Sequence, residues 1–199
     1  CIRDRSKPNP GDTVIVTGAA GGVGSLAGQI FKIAGCKVYG IAGGKEKCEM
    51  LINDFGFDGA IDYKSEDLNE SIGKLCPNGA DIVYDNVGGR ILNDCLLHLA
   101  LNARIAICGI ISRHKTDNMN FGPENYSNLI FKRATMQGFL MLDYVSETAS
   151  ARSKMKKWIE EGKLICKEDL REGFENAPDT LKGLFDGKNK GKQLLKIAD

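Results

Sequence analysis

Gly18-Ala-Ala-Gly21-Gly-Val-Gly24 carries the clearest chemistry in the sequence. Glycines three residues apart let main-chain N–H groups close on an anion, and a helix that begins at such a bend adds the partial positive charge of its N-terminus. A strand is read in Asp12-Thr-Val-Ile-Val-Thr17 and a helix in Val23 to Ala34. The bend between them is therefore a candidate pyrophosphate cradle, lined by Gly21, Gly22, Val23 and Gly24. The spacing is G-x-x-G-x-x-G rather than the commoner G-x-G-x-x-G, so the strand–turn–helix context carries the reading, and close packing without a ligand is the alternative.

A second signal stands where the next strand ends. An NAD-preferring site offers an acidic residue to the ribose hydroxyls about 20 residues after the glycines. Here that place holds Gly43-Gly44-Lys45-Glu46-Lys47. Without an acid at the strand end nothing there repels a 2′-phosphate, and nearby ammonium groups supply charge and donors. NADP(H) is expected over NAD(H). Lysines at a helix start are mildly disfavoured by the helix dipole, a mismatch that a bound anion relieves.

The remaining reactive side chains are scattered. His114 lies in a polar, turn-rich stretch from Gly109 to Asn125, too irregular for either period and long enough to deserve a functional reading. His98, within Cys95-Leu-Leu-His98-Leu-Ala, reads as structural. The seven cysteines (Cys1, Cys36, Cys48, Cys76, Cys95, Cys108 and Cys166) are odd in number and never spaced C-x-x-C. That argues against a disulfide framework or a compact zinc knuckle, so no metal site is expected and most are read as buried or half-buried thiols.

These residues need a scaffold, and short β-branched runs alternating with helical segments supply one: an α/β, Rossmann-type doubly wound parallel sheet. Strands are expected at 12–17, 37–41, 59–62, 81–85, 103–108 and 135–139. Helices are expected at 23–34, 46–55, 67–75, 90–99, 126–132 and 146–161, with Gly162 as a stop. The chain divides at about residue 165, after which a tail carries a short helix at 178–185, a glycine-rich turn at 187–191 and an apolar run ending at Ile197.

Composition excludes several classes. Lysine and arginine total 27 against 26 acids in 199 residues, so a net charge of +1 gives no general attraction to nucleic acid or to an anionic membrane. No apolar run reaches the roughly 18 residues of a membrane span, and the opening residues lack a signal-peptide apolar region. A cytoplasmic protein is expected. The start without methionine, a dozen residues from a strand, reads as a piece of a longer chain.

With these residues placed, the sequence resembles the prostaglandin reductase, leukotriene hydroxydehydrogenase and NADP-dependent alkenal double-bond reductase family, zinc-independent members of the medium-chain superfamily. The resemblance rests on ordered segments: Gly-Gly-Val-Gly-Ser at 21–25, Glu-Lys-Cys at 46–48, Gly-Phe-Asp at 56–58, Asp-Tyr-Lys at 62–64 and Tyr-Asp-Asn-Val-Gly-Gly at 84–89. It continues through Ala-Arg-Ile at 103–105, Cys-Gly-Ile-Ile-Ser at 108–112, Gly-Pro-Glu-Asn-Tyr at 122–126, Gln-Gly-Phe at 137–139 and Glu-Gly-Phe-Glu-Asn-Ala-Pro at 172–178.

The resemblance implies reduction of the C=C bond of an α,β-unsaturated aldehyde or ketone by NADPH. It implies that Lys47 and Tyr63 surround the 2′-phosphate. Asn86, Cys108, Gly109, Ile110, Ile111, Ser112, Phe139, Leu140, Met141 and Asn189 would line the cofactor. The family carries a tyrosine two residues after the serine of its Cys-Gly-x-Ile-Ser loop, and His114 stands there instead, a candidate donor to the enolate oxygen. The tail from Cys166 resembles a segment that completes an upstream GroES-like catalytic domain largely absent from this chain, so the piece alone is expected to bind cofactor without turnover. The partners implied are a small enone or enal and, as in relatives, a second copy in a homodimer. An NADPH-dependent quinone reductase and a non-catalytic nicotinamide-nucleotide module stay open as alternatives.

Overall fold

Thr13–Thr17 forms β1, and its Val14, Ile15 and Val16 are wholly excluded from solvent, as a strand covered on both faces requires. The computed structural model describes residues 2–112 and 123–198. After a short opening helix α1 (Ile2–Ser6), β1 leads through the glycine turn into α2 (Gly22–Ile33). There follow β2 (Lys37–Ala42), α3 (Lys45–Asn53), β3 (Gly59–Asp62), α4 (Leu68–Leu75), β4 (Ala80–Asp85), α5 (Gly89–Cys95), β5 (Leu99–Ile107), α6 (Asn128–Lys132), β6 (Thr135–Gly138) and α7 (Thr148–Glu160). The six strands are parallel in the order β3-β2-β1-β4-β5-β6. The direction of winding reverses between β1 and β4, and open α/β sheets bind ligands in the crevice at such a switch.

Alternation along β1 sends Val14 and Val16 into one core layer with Phe31, Leu51 and Phe57, and Ile15 into the other with Ile41, Ile72 and Leu96. Cys36, Cys76 and Cys95 are buried in these layers, Cys48 and Cys108 are half-buried, and Cys166 is exposed. Burial pushes the Cys36 thiol up to about 11 and Cys76 up to about 12, which keeps both protonated and unreactive.

The structure redraws some expected elements. The helix expected at 90–99 stops at Cys95, a single tighter turn covers Leu96–His98, and β5 begins at Leu99 rather than Ala103. Leu96 and Leu99 are almost fully buried and Leu99 pairs with Ala80, so packing outweighs helical preference here. His98 Nε2 lies 2.6 Å from Asn69 Oδ1.

In the tail, α8 (Ala177–Phe185) matches the expected short helix, but two strands were not foreseen: β7 (Glu168–Glu172) and β8 (Lys192–Lys196), paired in parallel. Glu-Asp-Leu-Arg-Glu contains one apolar residue, which hides a strand from any reading by hydrophobic period. Among the described residues no helix is long and apolar enough to cross a membrane.

Candidate functional site

The glycine turn begins as β1 ends. Gly18 takes a left-handed conformation, Gly21 N–H donates to Gly18 O at 3.2 Å, and α2 starts at Gly22 with no side-chain cap and no acid in its first turn. Helix N–H groups left uncapped are available to an anion. At Gly24 a Cβ would run into Gly18 O and the backbone of Ala19, so helix and turn approach too closely for any side chain. Val23 is 54% exposed and turns outward, and the Lys192 side chain lies against Gly22, so glycine backbone and one tail lysine border the turn.

A polar hub fixes the adjoining strand ends. Thr17 Oγ1–H donates to Asp85 Oδ1 at 2.6 Å, and the N–H groups of Val87 (3.3 Å) and Gly88 (2.9 Å) donate to the same carboxylate. Asn86 N–H donates to Thr17 Oγ1 at 2.9 Å, and its side-chain amide donates to Thr17 O at 2.7 Å. Asp85 is fully buried; burial pushes its carboxyl above the usual range, and the three hydrogen bonds only partly offset this.

The same hub holds the loop after β5. Cys108 and Gly109 donate to Asp85 O at 2.7 and 3.2 Å, and Ser112 donates to Val87 O through its N–H (3.1 Å) and its hydroxyl (2.6 Å). Asn86 and the Cys108–Ser112 stretch are thereby brought together at the switch point. Ile110 and Ile111 face outward, 46% and 39% exposed. Phe139 packs its ring 6.1 Å from that of Tyr84, whereas Leu140 and Met141 are largely exposed. His114 lies outside the described residues.

At the other end of the crevice β2 and β3 finish side by side, with Ala42 opposite Asp62. Asp62 accepts from Gly44 N–H (2.7 Å), Lys64 N–H (3.1 Å) and the Ser65 hydroxyl (2.9 Å). Burial works against the Asp62 anion, but these donors and the Lys64 charge outweigh it and hold the carboxyl below the ordinary range. Lys47 Nζ donates to Gly187 O at 2.7 Å; burial first, then the neighbouring Lys64 ammonium, holds it below the usual lysine range. Tyr63 reaches back over Gly43. Lys45 points away, its side chain 88% exposed and its ammonium 3.7 Å from Glu49.

The tail closes the crevice. Gly191 N–H donates to Ala20 O at 2.9 Å and forms a bridge with Gly21, while the buried Asn189 side chain donates to Gly191 O at 2.9 Å. Gly191 is left-handed, and a Cβ there would strike Lys167 O. Sequence reasoning named Asn189 as a cofactor-lining candidate and did not single out Thr17 or Asp85, which tie the strand ends together. The usable signal for these two was a polar residue ending each of two apolar runs, Thr-Val-Ile-Val-Thr17 and Ala-Asp-Ile-Val-Tyr-Asp85.

Comparison with known proteins bears on this arrangement. A family model described as zinc-binding dehydrogenase matches residues 22–159. The NADPH-dependent curcumin reductase of Escherichia coli (strain K12) is 38% identical over 202 residues, 99% of this chain and 59% of that protein. The 2-alkenal reductase (NADP(+)-dependent) of Nicotiana tabacum is 42% identical over 192 residues, 96% of this chain and 56% of that protein. The crystal structure of CurA in complex with NADPH from Vibrio vulnificus superimposes with a TM-score of 0.94 at 41% identity, covering all of this chain and 60% of that one. The chain thus spans under two thirds of each of these proteins. Among the described residues no three His, Cys, Asp or Glu side chains converge as zinc ligands would.

Proposed function

Because the chain belongs to the zinc-binding dehydrogenase family, we propose that residues 1–165 bind NADP(H) and that the whole protein reduces the C=C bond of α,β-unsaturated aldehydes or ketones. The observation that carries this is the glycine bend at Gly21–Gly24, too tight at Gly24 for any side chain, at the β1/β4 switch point, with Lys47 and Tyr63 at the far end of the crevice. The 2-alkenal and curcumin reductases named above support the direction of the chemistry.

On this reading the uncapped amides of Gly22, Val23 and Gly24 hold the pyrophosphate, and Lys47 and Tyr63 hold the 2′-phosphate. Asn86, the Cys108–Ser112 loop, Phe139–Met141 and Asn189 line the nicotinamide end. NADPH, when bound, supplies hydride. The chain then supplies orientation through the Asp85 hub, and His114, assigned on sequence alone, donates a hydrogen bond to the developing enolate oxygen.

Residues 166–199 complete a second, GroES-like domain built mainly from the additional length that the relatives possess. Leu170, Phe174, Leu181 and Ile197, each more than half exposed, are the surface it would cover. A homodimer across the β6 side would likewise cover Ile130 and Phe131, 74% and 68% exposed. A cytoplasmic location completes the reading.

The test is turnover by the full-length protein with NADPH against NADH on enals, enones and quinones. Faster reduction of enals and enones with NADPH is expected. Preferential quinone reduction would replace the reading with a quinone reductase, and cofactor binding with no turnover would replace it with a binding module.

A further inference from the structure

We infer that Lys64 is the second cation of the 2′-phosphate pocket and that it, rather than Lys45, works with Lys47 to select NADPH over NADH; the inference rests on the NADP(H) reading above. It starts from Gly43, the first residue of the turn after β2. A Cβ built there would meet Lys64 Cε at 2.9 Å, Tyr63 Cε1 at 2.9 Å and Tyr63 Oη at 3.0 Å. Both side chains after β3 therefore fold back across the end of β2, where the adenosine ribose of a dinucleotide lies in this class of fold.

Charge pairing separates Lys64 from its neighbours. Lys45 pairs with Glu49 and Lys190 with Glu46. Among the described residues no carboxylate lies within ion-pair distance of Lys47 or Lys64, and the two ammonium groups repel one another, with Asp169 opposing that repulsion and Lys190 adding to it. Asp62 and Asp169 attract these ammonium groups only from beyond ion-pair distance, so the repulsion between the two lysines stabilises nothing by itself. A phosphate monoester, carrying about two negative charges near neutral pH, fits between them better than one lysine could neutralise it.

Asp62 strengthens the case by what it occupies. Its carboxylate takes the Gly44 N–H, the Lys64 N–H and the Ser65 hydroxyl. The acid that ends β3 is thus turned into the backbone, where it fixes the residue bearing the Lys64 side chain. The Gly44 N–H is spent, so side chains must provide the donors to the phosphate.

The experiment measures dissociation constants of NADPH, NADH and adenosine 2′,5′-bisphosphate for the full-length protein and for Lys64→Met, Lys64→Arg, Lys47→Met and Lys45→Met, at two salt concentrations. Lys64→Met is expected to weaken NADPH and the bisphosphate about tenfold and to reduce their salt dependence, with NADH changed less than twofold. Lys64→Arg should recover most of the loss, and Lys45→Met should leave the NADPH/NADH ratio unaltered. If Lys64→Met leaves that ratio within twofold while Lys47→Met collapses it, the inference is overturned and the NADP(H) reading stands. If the unsubstituted protein does not prefer NADPH, the reading fails and takes the inference with it.

Discussion

Two pairs of parallel strands in this molecule are held by different forces. β1 and β4 have the burial of a sheet interior, with Val14, Ile15, Val16, Ile82 and Val83 entirely shielded, and their carboxyl ends are tied by the Thr17–Asp85–Asn86 hydrogen bonds. β7 and β8 make the same main-chain ladder, yet no residue of either is buried, and Leu170 is 54% exposed. The first pair is stabilised by apolar burial. The second is held where it is by attachments: the Gly191–Ala20 hydrogen bond, the Gln29 side chain to Ile165, and Lys47 to Gly187. The tail should therefore open at far lower cost than the sheet to which it clips.

The sharpest way to break the contrast is to remove the hub of the buried pair. Asp85→Leu strands the Thr17 hydroxyl and the N–H groups of Val87 and Gly88 without an acceptor. Such buried orphans cost about 1–3 kcal/mol each, so a loss of about 3 kcal/mol or more is expected in urea denaturation, together with loss of cofactor binding. Asp85→Asn separates charge from shape. Because folding raises the Asp85 carboxyl above its ordinary value, Asp85 favours the folded state most at low pH and loses that contribution as pH rises from the ordinary value, 3.8, through the raised one. Subtracting the stability–pH curve of Asp85→Asn from that of the unsubstituted protein should give a difference that falls with rising pH in that window. A flat or rising difference would contradict it.

Gly24→Val comes next. The new side chain meets backbone at Gly18 and Ala19, not a flexible neighbour, and overpacking of this kind costs about 1–3 kcal/mol. NADPH affinity should fall at least a hundredfold in a fluorescence titration, because the turn must open where the pyrophosphate amides lie. Retained affinity would show that the bend is a packing device.

The sheet half was legible in the sequence because its strands are apolar runs and its turn is marked by glycines, as Thr-Val-Ile-Val-Thr and Lys-Val-Tyr-Gly-Ile-Ala show. The tail strands were illegible for the opposite reason, since Glu-Asp-Leu-Arg-Glu buries nothing within this chain. The site divides similarly. The turn glycines and Asn86 after β4 stand out by type and place, whereas Lys64 becomes distinguishable from Lys45 only when β3 is set beside β2 and its side chain reaches Gly43.

On the tail itself, Gly191→Ala should cost about 1–2 kcal/mol, since the residue is left-handed and the added Cβ meets Lys167 O. Hydrogen exchange should quicken at Lys192–Lys196 and stay unchanged at Thr13–Thr17. Equal acceleration in both would mean that the two pairs open as one unit and that the contrast between them is false.

The smallest expected effect tests how much an ion pair adds to the clip. Lys167 Nζ lies 2.6 Å from Asp54, the two side chains 41% and 42% exposed, whereas Lys32 lies 2.7 Å from Asp58 with 31% and 33% exposure. Asp58 also accepts the Val38 N–H at 2.7 Å, so its carboxylate is fixed before the lysine arrives. Asp54 makes no such main-chain bond among the described contacts, and solvent screens its pair more fully. A double-mutant cycle should therefore give a coupling below about 0.5 kcal/mol for Lys167 and Asp54 that vanishes in high salt, and a larger, less salt-sensitive coupling, up to about 1 kcal/mol, for Lys32 and Asp58. The reverse ranking would mean that the tail is held by charge as firmly as the sheet is held by burial.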